Sequence, residues 1–220
     1  VEAWLEEQGL LSRRYRALII EGQNNHKNWA ETTPILKAHL RETGLFQVDI
    51  IRSPAAGEAM DGFQPDFAAY DLVVSNYNGD PWPQATQSAF EKFVSEGGGF
   101  VSVHAADNAF PEWKAYNEMI GLGGWYGRTE KDGPYVYYDE DGQLVRDDTP
   151  GPGGHHGKQH VFMIETRDST HPIVQGLPRK WLHGQEQVYD QLRGPARNLK
   201  ELASGCCDPG TGHADYHTRG

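Results

Sequence analysis

Three short stretches of this chain hold residue types suited to proton transfer or metal ligation. GFVSVHAAD (99–107) ends an apolar run on His104 and turns through two small residues to Asp107. GQNNH (22–26) follows another apolar run and ends on His26, and GGHHGKQH (153–160) packs His155, His156 and His160 into eight residues. An imidazole titrates near neutral pH, so it can pass protons as a general acid–base or ligate a metal. It can also simply cap the next helix or satisfy a buried hydrogen bond. Closely spaced histidines with a distant third ligand are a zinc pattern. His156, His160 and His104 are therefore a candidate divalent-metal set, with zinc the metal that all-imidazole ligation favours. The spacing matches no established zinc signature and HExxH is absent, so a glycine-rich loop lining a pocket is the alternative reading.

Other chemistries lack their parts. There is no GxSxG, and neither of the two cysteines, Cys206 and Cys207, sits at a strand–helix elbow, so Ser or Cys nucleophilic catalysis has no nucleophile. GLGGWYG (121–127) lacks the Walker lysine and follows a helical pattern, so no nucleotide cofactor is expected. Asn76 and Asn78 follow a third apolar run, and Trp113 and Trp125 flank the candidate segments. Sugars pair apolar C–H faces with hydroxyls, so aromatic rings beside Asn, Asp and His suit a small carbohydrate. Core packing is the competing reading for each ring.

The elements that must position these residues are legible from periodicity. Apolar runs at 16–21, 46–51, 70–77, 100–104 and 160–165 predict strands, the first buried on both faces. Helical patterns at 29–42, 84–96 and 112–120 alternate with the first four. That alternation predicts βαβ crossovers and a mostly parallel sheet. Ligands of such sheets bind at the carboxyl ends of the strands, which is where His26, Asn76, Asn78, His104 and Asp107 fall. From 121 to 159 the alternation lapses into a loop-rich insertion, with a hairpin signal at VYYDEDGQLV, and 186–192 and 199–203 are weaker strand candidates. With no second composition regime, residues 1–220 read as one domain.

Composition bounds the partners. The 220 residues carry a net charge of −11, which argues against nucleic acid or an anionic membrane surface as partner. No apolar run approaches the roughly 20 residues that cross a bilayer, and the visible N-terminus contains no signal-peptide core. A soluble protein is expected, cytoplasmic or periplasmic to secreted, and compatible with a homo-oligomer.

YDLVVSNYNGD (70–80), GGGFVSVHAAD (97–107), DSTHPIVQGLPRKW (168–181) and QEQVYDQL (185–192) together resemble the trehalose-utilisation (ThuA-like) family, over about residues 16–203. The resemblance implies a class I glutamine-amidotransferase-like, flavodoxin-like fold: a three-layer, doubly wound, mostly parallel α/β sheet. Amidotransferases carry a cysteine at the elbow where His104 stands, so glutaminase activity is not implied. The family is associated with sugar catabolism, notably of oxidised (3-keto) disaccharides. The implied function is an enzyme acting on a sugar or keto-glycoside by hydrolysis, elimination or isomerisation; the alternative is a non-catalytic carbohydrate-binding or regulatory module. By motif position the resemblance carries over His26, His104, Asp107, His160 and His171 as site residues. His171 beside Pro172 could equally fix a turn. Glu186 stands where the family has an acidic pair and is the substrate-binding candidate there. The tail at 204–220 departs from the family pattern, and the expected consequence is an exposed sheet edge.

Overall fold

The computed structural model describes residues 14–124, 127–139, 141–206 and 210. The chain forms two compact units, 1–116 and 117–220.

The first unit is built on a parallel sheet. Strands β1 (Tyr15–Glu21), β2 (Phe46–Arg52), β3 (Leu72–Ser75) and β4 (Gly99–Ser102) lie in the order β2-β1-β3-β4. β1 is central, and Ala17 to Glu21 are all buried, as the unbroken apolar run requires. Helix α1 (Trp29–Glu42) joins β1 to β2, and α2 (Gln84–Ser95) joins β3 to β4. Leu36 and Leu40 of α1 pack on Ala17, Ile19, Val48 and Val74. His39, an apolar-face position by periodicity, is instead a surface residue near Glu42. Phe90 of α2 meets Phe100 of β4 edge-to-face, with centroids 5.0 Å apart. β4 ends the sheet, and its Val101 is 46% exposed. Helix α3 (Lys114–Ile120) starts two residues later than the sequence pattern predicts, and the boundary between the units falls within it.

The aromatic residues gather into one cluster. Phe63, Phe67, Tyr77, Trp82, Phe90, Phe110, Trp113 and Tyr116 are all buried. The Tyr116 hydroxyl donates to Ala106 O (2.8 Å) and that of Tyr77 to Asp80 O (2.7 Å). Burial pushes both phenols well above the ordinary tyrosine range. A raised pKa keeps the proton on in the folded state, so above the unfolded value of about 10 the unfolded chain binds fewer protons and stability falls. In an alkaline titration followed at 295 nm, these two tyrosines are expected to ionise only together with loss of the fold. Smooth ionisation of all tyrosines near pH 10 with far-UV dichroism intact would refute that assignment.

The second unit is mostly antiparallel. The expected hairpin forms from β5 (Tyr135–Tyr138) and β6 (Leu144–Asp147). β8 (His160–Thr166) lies between β9 (Lys180–Glu186) and β11 (Ala203–Gly205). β7 (His155–His156) pairs with β10 (Tyr189–Asp190). The single strand expected over 186–192 is thus divided between β9 and β10, and the one expected at 199–203 begins only at Ala203. The interior is organised by arginines. Arg193 is fully buried: it donates to Gly133 O and Thr149 O, and its guanidinium carbon sits 3.4 Å from the Tyr135 ring centroid. Arg128, also buried, donates to Asn117 Oδ1 (2.9 Å).

Candidate functional site

At the carboxyl ends of the sheet, three strand ends meet. β1 runs into Gly22, whose φ is +127°. A Cβ there would lie 2.4 Å from Ser53 Oγ and 2.7 Å from Ser53 N, so the loop lies close against the end of β2. Gln23 is buried and ties the loop down: it donates to Pro54 O (2.9 Å) and accepts from Asp80 N (2.8 Å). Asn24 Oδ1 accepts from His26 N (2.9 Å), a local turn that sets the His26 backbone.

Asn76 follows β3 and is buried. Its amide donates to Trp29 O and Thr33 Oγ1, both at 3.1 Å, and its Oδ1 accepts from Asn24. It therefore positions the start of α1 and the loop after β1. The Asn78 side chain donates to Asn25 Oδ1 (2.9 Å) and its backbone N–H to Gln23 O (2.9 Å), and the residue is partly exposed.

After β4 the backbone enters a 3₁₀ turn at His104–Asn108, and His104 takes φ +47°. A non-glycine residue in the left-handed region is uncommon and mildly strained, and such residues concentrate at functional sites. The turn is held below by buried Ala105 and Ala106 and by the hydroxyl of Tyr116. It presents the His104 ring to His26: the two Nε2 atoms are 3.1 Å apart and the ring centroids 4.7 Å apart. At that distance one nitrogen must donate and the other accept, so the two rings hold one proton between them. Asp107 accepts from Ser102 Oγ (2.5 Å).

The other candidates have different surroundings. Trp113 is not a stacking platform: it is buried among Trp82, Phe90, Phe110 and Tyr116, with its indole N–H on Glu91 (2.6 Å). An indole is too large and apolar to leave the core when neighbouring rings can cover it. Trp125 lies outside the described residues. In the second unit, His171 Nδ1 accepts from Ile173 N (3.3 Å), which is the turn-fixing role. Glu186 is exposed at the end of β9 and accepts from Gln187 N. His156 Nδ1 lies 3.0 Å from Gly157 O, and His160 Nδ1 3.0 Å from Lys158 O. Among the described residues no group of three or more His, Cys, Asp or Glu is placed to hold a metal ion. His104 lies in the first unit and His156 and His160 in the second, and the three are not among such groups.

The sequence places Gln23 and Asn25 in the polar loop after β1 without giving either a role, and Thr33 and Ser102 carry no signal in it.

The model of the trehalose-utilisation (ThuA) family matches residues 16–208. A crystal structure of a putative ThuA-like protein from Parabacteroides merdae is 47% identical, with a TM-score of 0.86 over 91% of this chain and 71% of that one. A putative ThuA-like protein from Bacteroides uniformis shares the fold at 19% identity and a TM-score of 0.56, over 87% of this chain and 67% of that one. Comparison with curated proteins gives no match.

Proposed function

The chain belongs to the trehalose-utilisation (ThuA) family, and from that premise we propose that it processes a sugar, specifically a keto-glycoside or keto-disaccharide, by proton transfer at paired imidazoles. The observation that carries the reading is the His26–His104 contact, Nε2 to Nε2 at 3.1 Å, at the carboxyl end of a parallel sheet. A pair sharing one proton can take a proton at one ring and deliver one from the other, which is what hydrolysis, elimination or isomerisation beside a carbonyl needs. The left-handed backbone at His104 supports the same reading, since strain is retained where it serves a site. Gln23, Asn24, Asn76 and Thr33 act as the frame, and Asp107, in the turn that begins at His104, accepts from Ser102.

The wider architecture fits. The strand order β2-β1-β3-β4 is that of flavodoxin-like sheets. Val74 with Ile19 meets α1, while the alternate residue Phe100 meets α2. Both observations support a doubly wound, three-layer first unit. Among the described residues no helix is long and apolar enough to cross a membrane.

The test is incubation of the full chain with 3-keto-disaccharides, with and without added zinc or chelator, read by mass spectrometry. Conversion that survives chelator supports the imidazole reading. Conversion only with zinc would replace it by a metal mechanism, and binding with no conversion would make the protein a carbohydrate-binding module.

A further inference from the structure

The second unit holds an arrangement that the reading above does not use. His155 Nδ1 lies 3.0 Å from Asp190 Oδ1 and 3.3 Å from Oδ2. The carboxylate side chain is fully buried, whereas the imidazole is 43% exposed. A buried carboxylate that accepts a hydrogen bond from Nδ1–H fixes the tautomer and leaves Nε2 as the basic nitrogen, the relation that orients a general base in hydrolases.

The backbone fixes this geometry from both sides. His155 and Asp190 are directly opposed in the β7–β10 pair, in register Asp190↔His155. Gly153 N donates to Arg128 O (2.9 Å) and Gly154 N to Gln191 O (2.8 Å). Gly154 has φ +80°, and a Cβ on it would lie 2.4 Å from Gly124 O. The glycines before the histidine are thus required for close packing and do not make the loop loose. Gln191, the residue after the carboxylate, is itself at φ +54°. Beside the pair, His156 contacts the Tyr189 ring edge-on at 5.3 Å. A stitch between two short strands would need no buried carboxylate, because burying one is costly unless it is paired.

We propose that His155 and Asp190 form an acid–base pair in the second unit, in which His155 exchanges a proton with a hydroxyl of a bound sugar and Asp190 is the positioning residue. The substrate class rests on the function proposed above; the pair itself does not. In the step, the substrate O–H bond breaks and an Nε2–H bond forms. The electron pair stays on the substrate oxygen, the Nδ1 proton stays between ring and carboxylate, and the reverse transfer returns the proton.

The experiment uses the ¹⁵N-labelled full chain at pH 8.5. Long-range ¹H–¹⁵N spectra are expected to show His155 with its proton on Nδ1; a proton on Nε2 overturns the proposal. Acylation by diethyl pyrocarbonate, read by peptide mass spectrometry, should favour His155 over the exposed His39 and His183. Equal or slower reaction at His155 also overturns it. If a keto-sugar is converted, His155→Gln should reduce turnover about 100-fold at a temperature where the variant is still folded, although its melting temperature falls because the buried carboxylate loses its charged partner, and Asp190→Glu should retain more activity than Asp190→Asn. Wild-type turnover in His155→Gln is contrary to the proposal. If no keto-sugar is converted, the proposed substrate class falls, while the tautomer and acylation results still decide the pair.

Discussion

His104→Gln is expected to lower turnover of a converted keto-sugar by about 10²–10⁴-fold, the range that a positioned general acid–base contributes. At 25 °C that is roughly 3–5 kcal/mol of transition-state stabilisation. Glutamine keeps a polar side chain of similar reach but cannot carry a proton through a ring, so it tests the chemistry with little change in bulk. The folded state should hardly notice, because the His104 ring is exposed and its contact with His26 is between two side chains. His104→Gly sharpens the contrast. Glycine accepts φ +47° without the Cβ penalty that histidine carries there, so this variant should melt at or above the wild-type temperature while losing the activity. His26→Gln should also lose most turnover, and the double variant should lose little more than His104→Gln alone, since the two rings act as one unit. Full activity in His104→Gln, or multiplicative losses in the double variant, would remove the imidazole pair from the mechanism.

The parallel sheet could be read from the sequence because its signals are local. RALIIE, an unbroken apolar run bounded by charges, suits a strand covered on both faces, and the polar residues after it mark its carboxyl end. Strand ends in such a sheet converge by topology, so the sequence places His26, Asn76 and His104 at one edge. The direct imidazole contact was not legible, because it depends on the left-handed backbone at His104, which no residue type announces. Trp113 misled for a different reason: its position near the site segments is real, but burial of a large ring in the aromatic cluster outweighs exposing it for a ligand. The second unit was least legible. Its centre is set by Arg193 stacked on Tyr135 and hydrogen-bonded to carbonyls, whereas sequence patterning assumes that arginine lies at the surface. The same patterning hides Asp190, a buried carboxylate paired with His155, 35 residues earlier in the chain.

Phe90→Ala should be the most destabilising single change in the first unit. Phe90 is fully buried, and its ring meets those of Phe67 (5.1 Å), Trp82 (5.7 Å), Phe100 (5.0 Å) and Trp113 (6.0 Å). Truncation removes the transfer free energy of the ring and leaves a cavity that rigid aromatic neighbours cannot fill, a cost of about 3–5 kcal/mol. For a chain of this length each kcal/mol lowers the melting temperature by roughly 2–4 °C, so a fall on the order of 10 °C is expected in a thermal scan. Ile35→Ala is the control: Ile35 is 55% exposed, and its truncation should shift the midpoint far less. The cluster also bears on the site, because Phe90 touches Trp113, Trp113 touches Tyr116, and the Tyr116 hydroxyl holds Ala106 O in the turn that begins at His104. Trp113→Phe keeps an aromatic ring in this chain of contacts and loses the bond to Glu91. It should therefore weaken stability while leaving sugar affinity within a few-fold of wild type. Loss of sugar affinity with an unchanged melting temperature would instead return Trp113 to the role of a stacking surface.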